Sequence, residues 1–261
     1  VECEAEERFA RLAARLEAQG AAPPLVDLAR RASDDERRHA DHCARLAAAL
    51  GRAVPARRPP APPEVAPVGL PAEDALTYEL TAACCVTETV SVAVLTELLP
   101  AAVDPALRFV LRDLARDEVG HARLGWAHLA EAAARGRVAF LGPHLPGMLG
   151  GTVDDDLFAP VEPEREDLAL LPLGVLPHAA SRALFVRALQ EVIFPGLEGA
   201  GVDTTAGRAW LAASSAAPYS RSASASASRR SGTSPRTSRR AASTWPKIPQ
   251  SSTPRTRPPS R

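Results

Sequence analysis

With 261 residues, nearly half of them apolar, the chain can form one large domain around a substantial hydrophobic core. Abundant Ala, Leu and Arg, few aromatic residues and almost no apolar–polar alternation argue for an all-helical protein rather than a sheet. The formal charge of zero is uneven: residues 214–261 hold ten Lys/Arg and no Asp or Glu, leaving 21 basic (31 less 10) against 31 acidic side chains before them, which suits cation uptake and gives no basis for nucleic-acid binding.

The first helix is expected from Val1 to Gln19, stopped by Gly20, with Phe9, Leu12, Ala13 and Leu16 as its buried face. Projected at 100° per residue, Glu2 falls near the centre of that face and Glu6 at its edge, while Glu4 and Glu7 fall outside. Pro23-Pro24 opens a second helix that ends before Gly51. Residues 54–71 are too rich in proline to be helical and read as a long crossover, the connection needed when the second and third helices of a bundle run parallel. A third helix, from about Pro71 to Leu99, is apolar on nearly every side and therefore deeply buried. Asp104-Pro105 is an N-cap followed by a proline at the first helical position, and starts a fourth helix that reaches about Arg135. Residues 137–175 look irregular. A fifth helix spans about 177–197 and a short sixth follows Thr204-Thr205. Composition therefore divides the chain into a helical domain, 1–212, with a bundle core at 1–135 and an added helical region at 177–212, and a Ser/Arg/Pro-rich tail, 213–261. That tail lacks the apolar surface to offset its ordering entropy and is expected to be disordered.

One pattern occurs twice on these helices: Asp35-Glu36-Arg37-Arg38-His39-Ala40 and Asp117-Glu118-Val119-Gly120-His121-Ala122. Residues three apart share a helix face, so Glu36 with His39, and Glu118 with His121, each direct a carboxylate and an imidazole to one point. Glu88 stands alone in an otherwise uncharged apolar run, 30 residues before Glu118. Glu6 stands 30 and Glu2 34 residues before Glu36. A lone buried carboxylate such as Glu88 costs several kcal/mol unless something positive compensates it, roughly the penalty of desolvating an ion. Two Glu-x-x-His helices and two single-carboxylate helices make a dinuclear metal site.

The stretches Gly20–Cys43, Cys85–Thr89 and Asp117–Trp126 resemble the ferritin-like superfamily of di-iron carboxylate proteins, and within it uncharacterised bacterial ferritin-like domain proteins. The resemblance covers about residues 1–135, and 177–200 more loosely. It implies an all-α, ferritin-like four-helix bundle with a long helix 2–3 crossover, a fifth C-terminal helix and a disordered tail. It also implies two iron ions, with manganese as the alternative, held by Glu2, Glu36, His39, Glu88, Glu118 and His121, with Glu36 and Glu118 bridging. Asp35 and Asp117 would each support a ligand histidine, and helical geometry suggests a crosswise pairing, Asp117 to His39 and Asp35 to His121. Asp-Glu-x-Arg-His in the first copy is similar to the pattern of bacterial di-iron monooxygenases; the second copy has Gly120 where arginine would stand.

The function expected is oxidase- or oxygenase-type use of O2 or peroxide on a small-molecule substrate. Without a pair of Cys-x-x-Cys motifs, the electrons would come from a separate donor. The alternatives are a metal-free helical scaffold or interaction domain, and a ferroxidase. Cys3, Cys43, Cys84 and Cys85 match neither zinc-pair spacing nor a secreted disulfide framework; Cys43, Cys84 and Cys85 lie within four residues of expected ligands and read as small buried residues beside the site. His42, His128, His144 and His178 lack partnered spacing and read as surface or loop residues. With no secretory signal and no apolar span long enough for a bilayer, the expected location is cytoplasmic, with no membrane partner.

Overall fold

The computed structural model describes residues 2–52, 64–153, 156–159 and 168–216, and within them every regular element is helical. Four long helices come first: α1 (Glu2–Ala18), α2 (Pro23–Ala49), α3 (Ala72–Ala101) and α4 (Pro105–Ala134). A 3-10 turn (Ala139–His144) leads into α5 (Leu145–Thr152), and a second 3-10 turn (Leu168–Leu173) precedes α6, built of His178–Ala188, a π segment Leu189–Ile193 and Phe194–Gly199. The last described helix is α7 (Thr205–Ala216).

The helix ends follow local chemistry. Gly20 and Gly51 adopt φ of 69° and 71°, the left-handed conformation that ends a helix cheaply only at glycine. The Asp104 side chain accepts from the backbone amides of Ala106 at 2.8 Å and Leu107 at 2.9 Å, satisfying two of the unpaired donors at the start of α4.

α1 lies along α2, α2 along α4, α4 along α3, and α3 returns to α1. Phe9, Leu12, Ala13 and Leu16 of α1 form one core with Leu25, Val26, Ala29 and Ala32 of α2, closed by Leu76 and Leu80 of α3 and Leu124 of α4. A second core lies on the far side of α3 and α4, where Val86, Val90 and Leu129 meet Leu145 and Leu149 of α5 and Phe185, Leu189 and Phe194 of α6. α3 and α4 are therefore covered on both sides.

Midway along α3, Thr81–Glu88 forms a π segment, a local widening frequent at functional sites. Beside it α4 carries Gly125, where a Cβ atom would stand 2.5 Å from Cys84 Cβ and 2.8 Å from the Cys85 backbone nitrogen. The two helices approach this closely because the α4 position has no side chain.

Several expectations need correction. Residues 137–175 are not simply irregular: 139–152 is a 3-10 turn followed by α5, and its Leu141, Leu145 and Leu149 are buried. Prolines and glycines obscure the helical period there. α3, at 30 residues, is long and apolar enough by length and composition to cross a bilayer, contrary to the expectation that no such span exists. Half of its most apolar stretch is buried, and it carries two buried carboxylates, Glu79 and Glu88, as suits a core helix. Glu79 is a second carboxylate on this nearly all-apolar helix: fully buried, it is held by Arg15 Nη1 at 2.9 Å and Arg11 Nη2 at 3.7 Å, both from α1. Removing such a partner leaves an uncompensated interior charge, a loss of about 3–5 kcal/mol. α7 continues to Ala216, past the expected tail boundary at 213. Residues 54–63 of the expected crossover and the rest of the tail (217–261) lie outside the described residues.

Candidate metal centre

α2, α3 and α4 bring Glu36, Glu88, Glu118 and His121 together: one ligand atom from each lies within 4.8 Å of all the others, and all four residues are buried. His39 stands beside them, fully buried, its ring centroid 5.9 Å from that of His121. Phe9 of α1 stacks at a tilt against His121, 4.9 Å between centroids, and walls off one side.

Two of the carboxylates each span both imidazoles. Glu36 places Oε1 3.1 Å from His121 Nδ1 and Oε2 3.5 Å from His39 Nδ1. Glu118 places Oε2 3.1 Å from His121 Nδ1 and Oε1 3.7 Å from His39 Nδ1. Both rings therefore present Nδ1 to the cluster. Both also turn Nε2 outward to an aspartate on the opposite helix: His39 to Asp117 Oδ2 at 3.2 Å, His121 to Asp35 Oδ2 at 3.5 Å. An aspartate facing Nε2 favours the tautomer protonated there and leaves the Nδ1 lone pair free for a metal.

The first helix contributes less. Glu2, half-buried, reaches the margin of the cluster, with Oε1 3.8 Å from Cys43 Sγ. Burial, reinforced by the Glu36 carboxylate, pushes its carboxyl up to about 7. Glu6 turns elsewhere: Oε1 takes Arg37 Nε at 2.9 Å, and its backbone carbonyl accepts from Ser33 Oγ at 3.0 Å.

The electrostatics are those of a negative pocket closed off from water. Burial, followed by Glu118 and Glu36, raises the Glu88 carboxyl well above the usual carboxylate range. Burial opposes charge on Glu36 too, yet His121 and His39 hold it below its ordinary value. Burial likewise disfavours a charged His121, but Asp35, Glu118 and Glu36 outweigh it and lift the ring to about 12. The Glu88 and His121 shifts both favour the protonated form, of Glu88 through burial and of His121 through its carboxylate neighbours. A divalent cation can take the place of those protons.

The donor set fits such a cation. Glu36 Oε2 and His39 Nδ1 are buried without a hydrogen-bond partner, and both face the cluster. Such orphaned atoms are costly unless a ligand or ion satisfies them. Carboxylate oxygens and imidazole nitrogens suit iron or manganese, whereas thiolates would favour softer metals. Burial pushes the nearby Cys43 thiol up to about 12 and Cys84 well above its usual value, which favours the protonated thiol.

Two features escape a sequence reading. The π segment has no composition signature, yet Glu88 is its last residue. His128, read as a surface or loop residue, is buried with Nε2 3.1 Å from Thr77 Oγ1; it lies one helical turn beyond Leu124 on the buried face of α4, a spacing that could have revealed it.

Comparison with protein-family models, curated proteins and solved structures gives no match.

Proposed function

We propose that α1–α4 form a ferritin-like four-helix bundle holding two metal ions, iron with manganese as the alternative, used with O2 or peroxide in oxidase- or oxygenase-type chemistry. The observation supporting this is the pair of carboxylates, Glu36 and Glu118, each offering one oxygen toward His39 and the other toward His121. A carboxylate so placed between two imidazoles is suited to bridging two cations, as the resemblance implies. In this reading His39 and His121, which present Nδ1 to the cluster, would hold the metals together with Glu36, Glu88 and Glu118, and Glu2 would complete the set from α1. Asp117, 3.2 Å from His39 Nε2, and Asp35, 3.5 Å from His121 Nε2, would favour the Nε2-protonated tautomers, and Phe9 packs against His121. Bound iron would supply redox equivalents and open coordination positions for oxygen. Electrons would come from a separate donor, and the buried free thiols Cys84 and Cys85 suit a reducing, cytoplasmic compartment.

The test is metal content of the full chain purified without added metal, with absorption spectra of the reduced protein before and after O2. Two irons per chain and an oxygen-dependent spectral change are expected. A metal-free protein with no spectral response would favour a helical scaffold. Iron accumulation in a large closed assembly would favour a ferroxidase.

A further inference from the structure

Asp35 and Asp117 come from different helices and face different histidines, yet one side chain holds both. Arg38 Nη2 lies 3.0 Å from Asp35 Oδ1 and also donates to Asp117 Oδ2. Its Nε donates to Asp113 Oδ2 at 3.1 Å, and the same oxygen stands 3.1 Å from His42 Nε2. The guanidinium is planar and rigid, so holding one aspartate restricts where the others can sit.

The two motif copies are not equivalent here. Gly120 stands where the first copy has Arg38, so the second helix supplies no reciprocal arginine at that position. Arg116 is the other cation nearby. Its Nε meets Asp117 Oδ1 at 2.9 Å, and its Nη2 meets Asp113 Oδ1 at 2.6 Å and Asp117 Oδ2 at 3.1 Å. Among the contacts of the described residues, Arg116 reaches the His39 side only. Arg38 reaches both sides.

We propose that Arg38 is a positioning residue that couples the two metal positions, through Asp117 to His39 and through Asp35 to His121. This rests on the dinuclear reading above. A metal that draws His39 Nδ1 into place fixes Asp117, Arg38 transmits that placement to Asp35, and His121 is oriented before the second metal arrives. The first ion then raises the affinity for the second.

The experiment is a Co2+ titration of the full chain, followed by the visible spectrum of bound cobalt, with circular dichroism to confirm the fold of each variant. The wild-type protein is expected to take up two Co2+ in one cooperative step. Arg38→Gln and Arg38→Lys should each fill in two separate steps, the second weakened about ten- to a hundredfold, the usual effect of losing a group that orients a ligand. Lysine keeps the charge but not the fork, so the lysine variant separates geometry from general electrostatics. Arg116→Gln should keep the single cooperative step. Cooperative filling in either Arg38 variant, or an equal loss in Arg116→Gln, overturns the coupling while leaving the dinuclear site standing. A wild-type chain that binds fewer than two Co2+ removes the dinuclear reading and the coupling with it.

Discussion

His39 Nε2 lies 3.2 Å from Asp117 Oδ2, a contact between α2 and α4 that fixes the ring while Nδ1 faces the carboxylates. Arg116 and Arg38 hold the same aspartate, and although burial opposes it, these hydrogen bonds keep the carboxyl down at about 2. Asp117 is therefore an anion at any working pH. Asp117→Asn keeps the shape but loses the charge, and metal affinity should fall about ten- to a hundredfold. Isothermal titration with Mn2+ checks this; unchanged affinity would mean that the ring is oriented by packing alone.

Glu2 and Glu6 separate cleanly in space, one at the margin of the cluster and the other on Arg37. Glu2→Gln should lower metal stoichiometry, whereas Glu6→Gln should leave it intact. Because Glu2 sits in the first turn of α1, where backbone donors lack helical partners, its metal should also be the more readily removed by chelator. Metal analysis of both variants after dialysis decides the point, and loss with Glu6→Gln alone would reverse the assignment.

Gly125 tests the close approach of α3 and α4. In an open helix, Gly→Ala stabilises by roughly 0.5–1 kcal/mol. Here the added methyl meets Cys84 Cβ and the Cys85 backbone, neither of which is a flexible side-chain end. Gly125→Ala should instead destabilise by about 1–3 kcal/mol, the usual cost of overpacking. Urea unfolding gives the sign, and a stabilised variant would show that the π segment can move aside.

His128 should make stability depend on pH. Burial pushes its imidazole down to about 4, against 6.5 for an exposed ring. Above pH 6.5 the ring is neutral in both folded and unfolded chains. As the pH falls from 6.5 to 4, the unfolded chain takes up the proton first, so stability is lost across that window, by up to about 3 kcal/mol. His128→Gln should show a shallower decline over the same range. Parallel curves for the two proteins would mean that other groups set the slope.

The sequence by itself determined the four long helices and the doubled carboxylate–imidazole pattern they carry. Periodicity, Gly20, Gly51 and the Asp104-Pro105 pair mark the long helices because these signals are local, resting on backbone conformation and on neighbours one turn away. The doubled Asp-Glu-x-x-His likewise names Glu36, His39, Glu118 and His121, since three-residue spacing alone places each pair on one face. Only the tertiary structure decided the rest. Arg37, a residue on another helix, holds Glu6, a partner that the local sequence does not indicate. Glu79 and His128 take partners that the local sequence does not indicate, Arg15 on α1 for the one and Thr77 on α3 for the other. The π segment ending at Glu88 forms where Gly125 lets α4 come close. The meeting of Asp35, Asp113 and Asp117 on the single guanidinium of Arg38 joins that arginine to residues up to 79 positions away, a distance that no periodicity encodes and only packing closes.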